Sequence, residues 1–415
     1  MNKLKKYRFC DLYTMSSGIS STKDQAGHGS PFLSFSVVFN NYFVPDELPD
    51  LMATSDKEKE TYSIKSGDIF LTRTSEVVDE LAMSCVAIKD YPDASYSGFL
   101  KRLRPTQTDI TYSKFMAFYL RSPMFRKTMT NNAVMTLRAS LNEAIFSYLD
   151  LLLPEYDDQV KAGDLLYLLD EKIALNNRIS AELEAMAKTL YDYWFVQFDF
   201  PDANGKPYKT SGGKMVYNPT LKREIPEGWC DASLVDIATF TNGIACQKYY
   251  PTGDEPTYKV IKIREFSSGF DDSSESVHQG VPEKVVVYDG DILFSWSATL
   301  EVQLWTGGTG ALNQHIFKVT SDSYPKTFYY FEVLKYLEYF KMVAELRKTT
   351  MGHITKDHLV ASRVSLPPKE LIQAMDAKLS PILSKIISNN QQNSELSKLR
   401  DWLLPMLMNG QVTVK

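Results

Sequence analysis

The stretch ALNNRISAELEAM, residues 174–186, returns later in the same chain as ISNNQQNSELSKL, residues 387–399. Asn176 pairs with Asn389, Asn177 with Asn390, Glu182 with Glu395 and Leu183 with Leu396, all at one shift (389 − 176 = 213). The shift holds upstream, where Leu153-Pro154 falls on Leu366-Pro367, and Phe115 and Phe118 fall on Phe328 and Phe331. Further back, Gly67-Asp68-Ile69 matches Gly290-Asp291-Ile292 at a larger shift (290 − 67 = 223), so the copies differ in loop length between these points. A period of half the chain is too long for a solenoid, whose units run roughly 20–50 residues. It marks two copies of one domain-plus-helix module in 415 residues, enough for two or three domains with cores of their own.

Both stretches lie on an apolar stripe. Leu166, Leu169, Ile173, Ile179, Leu183, Met186, Leu190 and Trp194 recur mostly three or four residues apart, which predicts one helix over about 157–198. Leu379, Ile382, Ile386, Leu396, Leu399, Leu403 and Leu407 repeat the stripe in the second copy. Helices this long and this apolar on one face predict mutual packing as a coiled coil, with Asn176, Ile179, Leu183, Leu190, Asn389, Leu396 and Leu403 as pairing residues. The two asparagines stand where leucine is expected. Either they are core polar residues that give up stability to fix register, or they edge the stripe and meet solvent.

The expected architecture is α+β. Short β-rich runs (32–38, 68–72, 84–88) and helices over 112–121 and 124–131 make residues 1–154 a first α/β domain, closed by a strand ahead of Pro154. The first long helix takes 155–198. A linker follows over 199–224, read from the stretch FPDANGKPYKTSGGKMVYNPTLKREIPEG (residues 200–228), whose prolines and glycines predict no regular element. Residues 225–367 form the second α/β domain, with strands near 258–263, 284–288, 291–295 and 315–319 and a helix over 327–347. The second long helix takes 368–411.

Net charge is −5, which by itself argues mildly against a nucleic-acid partner. The charge is unevenly spread. Lys101 to Arg138 holds eight basic residues (Lys101, Arg102, Arg104, Lys114, Arg121, Arg126, Lys127, Arg138) against one acid, Asp109. Lys341 to Arg363, the equivalent region of the second copy, holds five basic residues and two acids, with His353 and His358. One such run is ordinarily a solvated helix face; two at equivalent places suggest a shared use. The four scattered cysteines, with no CxxC pair, predict a reduced cytoplasmic setting without disulfide or zinc. No signal peptide and no membrane span are read.

Catalytic motifs are missing. Asn218-Pro219-Thr220 is the nearest string to the Asn/Asp-Pro-Pro-aromatic run of an amino-group methyltransferase and does not qualify. Gly307-Gly308-Thr309-Gly310 opens no helix, there is no phosphate-binding P-loop, and the five histidines form no HExxH. Asp46-Glu47 and Asp289-Gly290-Asp291 lack the lysine two residues on that metal-dependent nucleases carry and read as turn and strand-start residues. The pattern predicts a binding component rather than an enzyme.

The chain resembles the specificity subunit of type I restriction–modification systems. The resemblance is carried by Trp194-Phe195, Phe198 to Pro201, Gly205-Lys206-Pro207-Tyr208, Ser211-Gly212-Gly213 and Ile225-Pro226-Glu227-Gly228-Trp229, then by Gly290-Asp291-Ile292-Leu293, Leu312-Asn313-Gln314-His315-Ile316 and Leu403-Leu404-Pro405 with Asn409-Gly410. The first 150 or so residues lack the Pro-x-Gly-Trp opening and the Asn-Gln-His string. The resemblance implies two target recognition domains joined by two long helices paired antiparallel, an internal pseudo-twofold repeat, and a bipartite, asymmetric target in double-stranded DNA. It implies two methyltransferase subunits and motor–nuclease restriction subunits as partners, which would hold S-adenosylmethionine, ATP and Mg, with no cofactor or metal on this chain.

On this reading, basic stretches clamp phosphates and loops between strands read base edges. In the first copy the expected DNA contacts are Arg73, Lys101, Arg102, Arg104, Arg126, Lys127 and Arg138. In the second they are Lys248, Lys262, Arg264, Trp296, Gln303, Gln314, Arg347, Lys348, His353, Thr355 and Lys356. Three other readings compete: an enzyme with an unfamiliar site, a non-catalytic coiled-coil scaffold, and a specificity subunit whose partner fuses methylation and cleavage.

Overall fold

The computed structural model describes residues 4–20, 22–75, 80–132, 134–135, 139–140, 143–346 and 353–414. It divides into two compact units: unit 1, Met1–Ile173 with Glu395–Lys415, and unit 2, Ala174–Ser394. Each unit holds a mixed α/β module built on the same antiparallel four-stranded sheet. In unit 1 the order is Tyr13–Ser17, Leu100–Pro105, Ile69–Thr72, Ser84–Val86. In unit 2 it is Thr239–Asn242, Ile316–Thr320, Ile292–Ser295, Glu301–Leu304. A second sheet in each module, three-stranded in unit 1 and four-stranded in unit 2, contains one parallel pair, Ala26–Leu33 with Ser95–Tyr96 and Thr257–Ile261 with Gly310–Leu312. In each module an opening strand pairs with a closing one: Lys5–Arg8 with Asp150–Leu153, and Cys230–Ser233 with Arg363–Leu366.

The repeated Gly-Asp-Ile string launches a central strand in both sheets. Gly67 (φ 89°) and Gly290 (φ 85°) take the left-handed backbone that side chains resist. The next carboxylate closes the turn. Asp68 accepts from the Lys65 N–H at 2.8 Å, and Asp291 accepts from the Tyr288 N–H at 2.9 Å. Each also meets a cation from the adjacent strand, Arg104 in unit 1 and Lys318 in unit 2.

The first long helix runs Tyr156–Tyr191 and gives way to a π-turn, Asp192–Val196, in which the Gln197 N–H donates to the Asp192 carbonyl at 2.8 Å. Trp194 and Phe195 are both buried there. The rings of Phe195, Phe198 and Phe200 lie 5.8, 5.2 and 5.5 Å from that of Trp229, and Tyr208 stacks on Phe200. Trp194, Phe195, Phe198, Phe200 and Trp229 are therefore part of the unit 2 core, with Tyr208 packed against it. The linker also contains regular structure that its sequence did not predict: Met215–Asn218 and Arg223–Pro226 form a hairpin. Its breakers sit where they do no harm, since Pro219 lies in the turn, where the Asn218 side chain accepts from the Thr220 and Leu221 N–H groups. The expected strand over 32–38 is a second difference. The strand stops at Leu33 and Phe35–Asn40 is helical, because a short apolar run does not by itself separate buried strand from buried helix.

The second long helix runs Lys369–Met408. In unit 2, Asn176 and Asn389 are each 1% exposed, so neither edges the stripe into solvent. The Asn176 amide donates to Gln392 Oε1 at 2.7 Å and Asn393 Oδ1 at 2.9 Å; that of Asn389 donates to Ser180 Oγ at 3.3 Å. One helix's numbers rise as the other's fall, so these segments run antiparallel. Ile179 and Leu396 are half-buried. Leu183 and Leu190 pack against the unit 2 core, and Leu403 packs against the unit 1 core beside buried Leu404 and Leu407. Among the described residues no helix is long and apolar enough to cross a membrane.

Candidate nucleic-acid interface

Much of the basic charge of the first copy belongs to the fold. Leu100–Pro105 is an interior strand of its sheet, and its cations are held by neighbours. Lys101, 8% exposed, donates to Ser17 Oγ at 2.8 Å. Arg102, 9% exposed, donates to the Ser63 carbonyl at 2.7 Å and lies over the Tyr96 ring. Arg104 forks onto Asp68 at 2.7 and 2.6 Å, a hydrogen-bonded contact that raises its pKa above the usual arginine value. Arg121 gathers the carbonyls of Val38, Phe39, Asn41 and Ser84, and Lys114 pairs with Asp164. Arg126 is half-buried and donates to the Ala82 carbonyl at 3.2 Å. These side chains do not form the free phosphate clamp expected of a basic stretch. Arg73 and Lys127 are exposed, and Arg138 lies outside the described residues.

In the second copy, Lys262 pairs with Glu275, and Arg264 is tied to Glu265, Asp271 and Ser273. The Lys262 ammonium, then the Tyr250 hydroxyl, hold the Glu275 carboxyl below its ordinary range. Gln303 donates to the Phe266 carbonyl at 2.5 Å. These three are engaged within the module. Lys248 is exposed, and Arg347 and Lys348 lie outside the described residues.

The remaining second-copy residues converge. The Trp296 ring packs 5.6 Å from Phe317, 5.8 Å from His315 and 6.0 Å, edge-on, from His353. Its Nε1–H donates to Asn242 Oδ1 at 3.1 Å, and its carbonyl accepts the Ile354 N–H at 3.1 Å. Trp296, Asn242, His353, Thr355 and Lys356 share the lining of a cavity of about 610 Å³ with apolar walls from Phe240 and Phe317. Thr355 caps the helix Lys356–Ala361, its N–H donating to His358 Nδ1 at 3.0 Å. His315 stands exposed beside Trp296, and Gln314, also exposed, lies against the His315 ring.

A specific backbone frame sets this cluster at the strand ends, and unit 1 repeats it bond for bond. A Cβ on Gly243 would lie 2.2 Å from the carbonyl oxygens of Leu312 and Asn313; one on Gly18 would lie 2.4 and 2.3 Å from those of Tyr96 and Ser97. The Ile244 N–H donates to Leu312 O as Ile19 does to Tyr96 O. The Gln314 N–H donates to Ile244 O as Gly98 does to Ile19 O. Tight turns Asn313–Ile316 and Ser97–Leu100 follow. In them the Asn313 side chain accepts the His315 N–H at 3.3 Å, and the Ser97 hydroxyl accepts the Phe99 N–H at 3.2 Å. The Trp296 N–H then donates to His315 O, as Arg73 does to Phe99 O at 2.9 Å. Phe99, 68% exposed, thus occupies the place of His315, and Arg73 the place of Trp296. Sequence reasoning missed Asn242, His315 and Phe99. The Asn-Gln-His string pointed to His315; nothing marked Asn242 or Phe99.

A family model described as the type I restriction modification DNA specificity domain matches residues 9–185 and again residues 226–398. The chain belongs to this family. Among curated members, the type I restriction enzyme MjaIX specificity subunit of Methanocaldococcus jannaschii is 22% identical over 84% of this chain and 79% of its own length. The HindI specificity subunit of Haemophilus influenzae is 23% identical over 64% of this chain and 70% of its own. The fold is that of a solved type I specificity subunit from M. genitalium, with a TM-score of 0.62, 11% identity and coverage of 98% of this chain and 96% of that one. In specificity-family terms, each matched segment spans most of one module and runs on into a long helix.

Proposed function

We propose that the chain reads a bipartite, asymmetric site in double-stranded DNA, one half with each module, as the specificity subunit of a type I restriction–modification complex in the cytoplasm. The observation that carries this reading is the repeated strand-end frame. Both modules of a specificity-family chain hold the same backbone geometry and present different side chains on it, as two unequal half-sites require.

The two long helices act as spacer, paired as an antiparallel coiled coil. Helices of 36 and 40 residues are about 54 and 60 Å long at 1.5 Å per residue, longer than one DNA turn of about 34–36 Å. Met186, 61% exposed, and Trp402, 64% exposed, offer apolar contact on these helices to two methyltransferase subunits. Motor–nuclease subunits join for restriction. S-adenosylmethionine, ATP and Mg belong to the partners, and this chain contributes recognition alone.

Footprinting tests the reading. Assembled with a methylating partner, the chain is expected to protect two short, dissimilar sequences separated by a spacer of fixed length. One continuous protected block, or protection independent of sequence, overturns it.

A further inference from the structure

We propose that Phe99 and Arg73 form the specificity-determining pair of unit 1, meeting base edges of its half-site from the positions that His315 and Trp296 occupy in unit 2. The proposal rests on the DNA-reading function above and assigns the residues that carry half of it.

The frame beneath Phe99 fixes the direction of its side chain. Its N–H is held by the Ser97 hydroxyl, its carbonyl accepts the Arg73 N–H, and the turn is locked by the Leu100 N–H on Ser97 O at 2.9 Å. A phenyl ring held this rigidly yet 68% exposed contributes little to the core, whose neighbours Tyr96 and Leu100 are fully buried. Arg73 differs from the other arginines of its sheet. Arg102 and Arg104 are bonded to carbonyls or a carboxylate, whereas no hydrogen bond or ion pair among the described residues engages the Arg73 guanidinium. The two side chains leave adjacent strand ends joined by a backbone hydrogen bond, so they face the same short stretch of ligand.

Their chemistry suits a DNA groove. A guanidinium forks onto guanine O6 and N7, and an aromatic ring packs on the thymine methyl. Unit 2 presents an imidazole and an indole at the same two positions, with Asn242 and Gln314 nearby, a different donor and acceptor pattern and hence a different half-site.

The test uses the chain assembled with its methylating partner and competition among duplexes that each change one base pair of the wild-type target. Phe99→Ala is expected to cut discrimination about tenfold at one position of one half-site. Phe99→Leu restores part of it, and Arg73→Gln relaxes a neighbouring position in the same half. His315→Ala relaxes only the other half. Because Phe99 is exposed, the melting temperature of Phe99→Ala stays at the wild-type value. Wild-type discrimination in Phe99→Ala and Arg73→Gln, or equal relaxation of both halves, overturns the proposal. A wild-type complex with no base preference anywhere removes the DNA-reading function, and the proposal with it.

Discussion

Arg104 and Asp68 join as a fork in which the carboxylate is wholly buried and the guanidinium reaches solvent. Arg104→Met leaves that carboxylate without its cation, at a cost of about 3 kcal/mol, the lower end for breaking a buried pair. Melting should fall accordingly, while the salt dependence of DNA binding by the assembled protein changes by less than about one unit of slope, the share of one phosphate. Unchanged melting with a slope reduced by a full unit would make Arg104 a phosphate contact. The case shows why the basic run over 101–138 was legible as composition and not as a surface. Arg104's partner lies thirty-six residues earlier in the chain, across a strand pairing that local sequence does not reveal. Phe99 was hidden for another reason. It matches His315 at a shift of 216 (315 − 99), between the 213 of the helices and the 223 of the Gly-Asp-Ile strings, and the residue type changes.

Secondary-structure elements were more readable where one residue type does a necessary job. The glycine and aspartate of Gly-Asp-Ile are a left-handed turn and its cap, so the string survives in both copies. The asparagines on the helical stripes could be seen as misfits, yet their partners Gln392, Asn393 and Ser180 follow from helix register, which one stripe cannot fix. The linker hairpin escaped because its prolines and glycines look alike whether they break a strand or turn it. Asp231 offers a test at this scale. It pairs with Arg363 across the strands that open and close the unit 2 module, and Arg363, then Asn218, hold its carboxyl below the usual aspartate range. With the folded value depressed, the stabilisation is complete above the unfolded aspartate value of about 3.9 and is lost as pH falls through the folded one. The melting-temperature gap between wild type and Asp231→Asn should therefore be open at neutral pH and close below about pH 4. A gap that stays constant down to acid would show that the pair adds no pH-linked stability.

For the whole molecule, one arrangement is written twice: an α/β module, a Gly-Asp-Ile strand and a helix of some ten turns. The duplication and the long helices were legible because periodicity survives divergence of the loops. The residues proposed to read the half-sites were not, because they are among those that diverged. The proposed function requires one chain to carry two different readers of one interrupted site. Mapping methylated bases across a host genome, with and without this gene and its methylating partner, tests it most directly. The expected result is one asymmetric motif in two parts with a spacer of fixed length, present only when the gene is present. A palindromic or uninterrupted motif, or methylation that persists unchanged without the gene, would contradict it.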